Sequence, residues 1–127
     1  MQKLMMVGLG GFIGAVLRYL LSGWVQTWTK SAVFPYGTLA VNLLGCLGIG
    51  LLSHLVEARN LWSPEARMFV FIGTLGAFTT FSTFGNETMK LLRNGETLLS
   101  FMNIGAHTIL GLAAVWLGQV CAELIWS

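Results

Sequence analysis

The stretch Gly37-Thr-Leu-Ala-Val-Asn-Leu-Leu-Gly-Cys-Leu-Gly-Ile-Gly-Leu-Leu-Ser-His-Leu-Val56 decides the fold. It holds no Lys, Arg, Asp or Glu. About 20 apolar residues let a helix cross a bilayer, whereas a barrel strand needs about 10 in alternation. This run is too long for a strand and does not alternate, so it reads as a membrane helix. The rest of the chain agrees. Of 127 residues, 55% are hydrophobic and 9% are charged, against roughly 25% charged in a soluble domain. There is no Asp at all. So few charges, with a mean hydropathy of +0.74, cannot clothe a soluble globule. Disorder is excluded as well, because it needs low hydrophobicity and high charge. A net charge of +2 is too small to imply nucleic acid.

Working outward, three more apolar segments appear at about 4–28, 68–89 and 98–126. With 37–56 they predict an all-α integral membrane protein, one four-helix domain over 1–127 with short loops. The start of the first segment, 4–17, resembles a signal peptide after Lys3. No small-residue cleavage site follows and the apolar pattern resumes after Arg18, so it is expected as a retained helix. Gly10 and Gly14 form a GxxxG pair that lets another helix approach closely. Pro35 and Pro64 stand at helix starts. Trp24, Trp28, Trp62 and Trp126 fall near segment ends, where aromatic belts lie; Trp116 does not.

Four spans put both termini on one side. That side carries Lys3, Arg59 and Arg67; the other carries Lys30, Lys90 and Arg93. Lys and Arg near helix ends set orientation, and three against three sets none. The expectation is dual topology, with two opposite copies paired as an antiparallel homodimer. The alternative is that other signals fix one orientation. Cys46 and Cys121 are too few for a disulfide framework or a zinc site.

The third segment contains Gly73-Thr-Leu-Gly-Ala-Phe-Thr-Thr-Phe-Ser-Thr-Phe-Gly-Asn-Glu87. Hydroxyls crowd its middle at Thr79, Thr80, Ser82 and Thr83. Phe78, Phe81 and Phe84 recur every third residue, which on a helix keeps the rings on adjoining parts of one face. Gly and Thr weaken a helix, so a break near the middle is expected. Broken membrane helices are tolerated only where buried or lining a cavity. Carbonyls converging at a break can hold a hard monovalent cation. Equally, the hydroxyls can bond back to their own carbonyls while the Phe face meets lipid.

Other polar residues lie within spans. Thr38 and Asn42 are one turn apart in segment two, with Gly45 close to the same face. Asn42 can donate to an anion or join two helices by a hydrogen bond. Asn103 and His107 stand at i and i+4 on segment four, with Gly111 one turn on, as a narrow polar stripe; no second ligand makes His107 a metal site. Arg18 either snorkels to the interface or faces a water-filled vestibule, where it would concentrate anions. Glu87 ends the Thr/Phe stretch and can pair with a cation, accept a hydrogen bond or lie at the interface. There are no paired membrane acids of a coupled pump, no Ser-His-Asp set, no HExxH and no phosphate loop, so an enzyme is not indicated. Hydroxyls, an amide and Phe ring edges, the positive part of the ring quadrupole, suit a small hard anion. Permeation needs weak, repeated sites of this kind.

The run Thr79-Thr80-Phe81-Ser82-Thr83-Phe84 resembles the signature of the fluoride channels called Fluc or CrcB. Gly37 to Gly45 is similar to that family's second helix, and Gly10 to Gly14 with Arg18 after it also fits. The resemblance implies a fluoride-selective passive channel that exports fluoride from the cytoplasm and relieves its toxicity, with two pores in an antiparallel homodimer. Phe81 and Phe84 would be the pore phenylalanines and Asn42 the pore asparagine. Ser82 and Thr83 would stand near the fluoride pathway, with Thr38, Asn103 and His107 joined to it from the polar faces above, and Glu87 at a pore end. Gly76 and Thr79 would give backbone carbonyls to a structural Na⁺ at the dimer interface, and Arg18 would sit at an aqueous vestibule. The location implied is a bacterial inner membrane. The sequence departs from the family where Ala77 follows Gly76 in place of a second Gly; Ala tolerates most backbone there but not φ > 0. Gly111 and Val115 supply no hydroxyl to the fourth helix. The rivals are a small dual-topology multidrug transporter, whose first-helix Glu is missing because no Glu precedes Glu57, and a non-conducting scaffold subunit.

Overall fold

The computed structural model describes residues 1–59 and 62–126. The loop expected over 57–67 is shorter than that, since the second helix continues to Arg59 and the next begins at Pro64; residues 60 and 61 lie outside the described residues. Apolar runs become helices here because hydrocarbon offers the backbone no partner but itself. Among the described residues four helices are long and apolar enough to cross a membrane: α1 (Gln2–Thr29), α2 (Tyr36–Arg59), α3 (Pro64–Arg93, interrupted) and α4 (Thr97–Trp126). The third begins on a capping pair, with Ser63 Oγ accepting from the Ala66 N–H at 3.2 Å and Pro64 in the first turn. It also runs past the apolar stretch, since Lys90 and Arg93 remain helical in its last turn. Cations there face the negative end of the helix dipole. The connection expected over 90–97 therefore shrinks to 94–96, with Gly95 at φ 82°.

Two pairings organise the chain. α1 packs on the first half of α3, and α2 packs on the second half of α4. Gly10 and Gly14 make the first pairing close. A Cβ on Gly10 would come within 3.0 Å of the Thr74 backbone nitrogen, and one on Gly14 within 3.0 Å of the Phe78 nitrogen. The glycine pair expected to admit a helix thus admits α3. The α1–α2 loop is tied by Gln26, which donates from Nε2 to the carbonyls of Ser31 (2.7 Å) and Phe34 (3.0 Å) and accepts from the Gly37 N–H at 3.0 Å. Those backbone groups would otherwise be stranded near a low-dielectric medium. Most large apolar side chains point outward, among them Phe12, Trp24, Phe101 and Trp116, as a surface facing lipid or another chain does.

Candidate functional site

The α3 break falls where the glycine and threonine content weakens the helix. After Gly76–Phe78 the chain opens at Thr79 (φ −90°, ψ 158°) and Thr80 (φ −152°, ψ 110°), and the helix restarts at Phe81. Asn42 of α2 occupies the gap. Its Oδ1 accepts from the Thr80 N–H at 2.8 Å, and its Nδ2 donates to the Thr80 carbonyl at 3.1 Å. Thr80 caps the new helix, its Oγ1 accepting from the Thr83 N–H at 3.3 Å and donating to Thr83 Oγ1 at 3.0 Å. The Ser82 hydroxyl lies 3.4 Å from Thr80 Oγ1. Thr79 bonds back to the Leu75 carbonyl at 3.1 Å, so of the readings left open for these hydroxyls, the self-bonding one holds for Thr79. Gly45 makes room for it, because a Cβ there would run into the Thr79 methyl.

Gly76 and Thr79 are among the carbonyls that change status at the break. In a continuous helix, Gly76 O would accept from the Thr80 N–H and Thr79 O from the Thr83 N–H. Those donors are turned to Asn42 and to Thr80 Oγ1. Gly76 itself is helical (φ −61°, ψ −38°) and exposed. Among the described residues the left-handed positions are Lys30 and Gly95, so Ala77 meets no backbone demand that only glycine could satisfy.

The break also re-sorts the phenylalanines. Phe81 and Phe84 remain neighbours, with ring centroids 5.5 Å apart and planes tilted by 52°. Both line a crevice of about 520 Å³ with Asn42, Cys46, Thr79 and His107. Phe78 leaves the face on which helical spacing put it. It turns to Leu17, Leu20, Leu21 and Trp24 of α1, because two extended residues destroy the i, i+3 relation. In the single chain Phe81 is 82% exposed, while Phe84 is half-buried against the His107 ring at 4.3 Å.

Beyond the crevice, a cavity of about 450 Å³ is lined by Ser22, Gln26, Thr38, Glu87, Lys90 and Asn94, among others. Thr38 Oγ1 donates to Glu87 Oε1 at 2.7 Å. Glu87 Oε2 is buried with no hydrogen-bond partner among the described residues. Of the roles left open for Glu87, accepting a hydrogen bond is the one observed. Arg18 lies one helical turn before Ser22. It is half-buried, with Nε buried and without a hydrogen-bond partner among the described residues.

The polar stripe on α4 divides. His107 lines the crevice. Asn103 is fully buried and does not line it; its Nδ2 donates to Thr88 Oγ1 at 2.9 Å. A buried amide must take the nearest acceptor, and that acceptor lies on the second half of α3. Sequence reading missed Thr88, Ser100 and Gln26. Their spacing along the chain carries no sign of their partners.

A family model described as "CrcB-like protein, Camphor Resistance (CrcB)" matches residues 5–119. The chain is 47% identical over 122 residues to the Fluoride-specific ion channel FluC 1 of Methanosarcina acetivorans, covering 96% of this chain and 92% of that one. It is 49% identical over 120 residues to the Fluoride-specific ion channel FluC of Magnetococcus marinus (94% and 96%). With the protein of the same name from Elusimicrobium minutum it shares 42% over 125 residues (98% and 97%).

Proposed function

The chain belongs to the CrcB family, and from that premise we propose that it is a fluoride-selective passive channel. It carries fluoride out of the cytoplasm and so relieves fluoride toxicity. The relatives' name, Fluoride-specific ion channel, supports the substrate. The observation that carries the reading is the Asn42-held break, which sets the tilted rings of Phe81 and Phe84 on one crevice. Tilted rings offer edges, the positive rim of the quadrupole. Ser82 and Thr83 add hydroxyls beside them, and Asn42 keeps one amide hydrogen beyond its bond to Thr80. Each is a weak donor, so an ion can enter and still leave. Beyond the crevice, Thr38 and Glu87 shape the mouth and Arg18 raises local anion concentration at the vestibule. Hydrogen fluoride crosses membranes as a weak acid and dissociates inside; a passive pore returns the anion down its gradient.

The working unit in this reading is an antiparallel homodimer with two pores in the bacterial inner membrane. Three cations against three favour neither orientation. The uncovered Phe81 ring and the open space at Gly76, where a Cβ would meet only the Phe71 carbonyl at 3.6 Å, are what a second copy would cover. A Na⁺ at that interface fits the donor set. Gly76 and Thr79 carbonyls have lost their helical donors, and neutral oxygens suit a hard monovalent cation. The Gly76 and Thr79 carbonyls would hold it, and it would supply a positive charge to that face. Among the described residues no group of three His, Cys, Asp or Glu competes as a metal site.

Fluoride efflux from proteoliposomes, followed with an electrode after adding valinomycin, tests the reading. Rapid fluoride loss without chloride loss is expected. Folded protein that releases no fluoride would overturn it.

A further inference from the structure

One buried polar cluster lies between the second half of α3 and α4, outside the crevice. Thr88, Ser100 and Asn103 are 7%, 3% and 0% exposed. Such clusters commonly join membrane helices, but this one leads to Phe84 along two routes. Thr88 Oγ1 donates to the Phe84 carbonyl at 2.7 Å and accepts from Asn103 Nδ2 at 2.9 Å. The single Thr88 hydroxyl hydrogen is spent on Phe84, so the Asn103 group facing it must be the donor. Ser100 Oγ, donating to the Thr88 carbonyl at 3.0 Å, fixes the same turn. On the second route, which belongs to the α4 backbone rather than to the Asn103 side chain, His107 Nδ1 lies 3.0 Å from the backbone carbonyl of residue 103. A carbonyl only accepts, so Nδ1 carries the hydrogen and the imidazole is held in one orientation. That ring rests on the Phe84 ring at 4.3 Å. Backbone and ring of one crevice residue are thus gripped from the same short segment of α4.

We propose that Thr88 and Asn103 are positioning residues that set the attitude of the Phe84 ring in the anion pathway, an inference that rests on the fluoride reading above. Neither touches the ion. Both act through Phe84, Thr88 on its backbone and the Asn103 side chain through Thr88.

The test uses full-length protein, with fluoride current recorded in planar bilayers. Thr88→Val keeps the size and loses the hydroxyl; current should fall about five- to tenfold, the factor carried by one buried hydrogen bond. Thr88→Ser should restore it. Asn103→Ala should fall similarly, and the double variant should be no worse than either alone, since the two act in series. A fluorine label on the Phe84 ring, read by ¹⁹F NMR, should shift or broaden in Thr88→Val and Asn103→Ala and return in Thr88→Ser. Wild-type current and an unmoved fluorine line in both variants would overturn the proposal. If Thr88→Val does not fold, Asn103→Ala alone decides it by the same two readouts. A wild type that passes no fluoride would sink the channel reading instead, and the fluorine line would still report whether Thr88 and Asn103 hold the ring.

Discussion

Replacing Asn42 by Leu removes the one side chain among the described residues that is seen to bond the Thr80 backbone at the α3 break. The amide makes two hydrogen bonds to one residue's backbone, at 2.8 and 3.1 Å. Leu has nearly the same volume, so no large cavity term enters. Two net hydrogen bonds at ~1 kcal/mol each set a floor of ~2 kcal/mol. One orphaned N–H at ~3 kcal/mol, with ~1 kcal/mol for the bond lost at the Thr80 carbonyl, which as N-cap keeps its intrahelical donor, sets a ceiling of ~4 kcal/mol. Thr80 is half-buried beside a crevice, where water can replace part of what is lost, so the expected cost is ~2–3 kcal/mol. By the scaling for a chain of this size, that lowers Tm by about 5–10 °C. Thermal unfolding of purified protein, followed by tryptophan fluorescence, measures it, and efflux from proteoliposomes should fall to the rate of empty vesicles. An unchanged Tm would refute the reasoning, even with efflux abolished, because an asparagine that only meets the ion leaves the break intact without it.

Phe81→Ile or Phe84→Ile should cut fluoride efflux strongly while the protein stays folded by size exclusion; unchanged efflux in both would remove the ring-edge argument. Gly76→Leu has room within one chain, so loss of the dimer in cross-linking, together with loss of efflux, would locate the obstruction on a second copy. A fully active dimer would count against the interfacial Na⁺. Arg18→Gln should lower fluoride current mainly at low fluoride, as expected if its charge concentrates the anion; an equal loss at all concentrations would argue for a snorkelling side chain.

The spans were legible because hydrocarbon leaves a chain so few options. The α3 break was legible too, since glycine and threonine advertise a weak helix. Its partner was not. Nothing local to Asn42 says that it meets Thr80, 38 residues away, and the amide's two uses look alike along the sequence. Phe78 shows the limit of helical spacing: the break that the composition suggests cancels the periodicity that grouped it with Phe81 and Phe84. Asn103 was placed with His107 by the i, i+4 rule, yet the two divide their contacts, because a side chain's direction depends on which helix lies opposite. The loop over 90–97 was drawn too long, since the end of the apolar run is not the end of the helix where cations suit its last turn.

The Asn42–Thr80 pairing also orders events during synthesis. A ribosome delivers α2 to the membrane before α3. Alone in lipid, α3 would keep its ladder continuous, because an open peptide group there has no partner. The break becomes affordable only once an amide waits on a neighbour, and the neighbour carrying it has already been inserted. Chain order therefore supplies the partner before the need arises. A permuted gene that made α3 first would ask a straight helix to break in place, a slower step than the one nature's order requires.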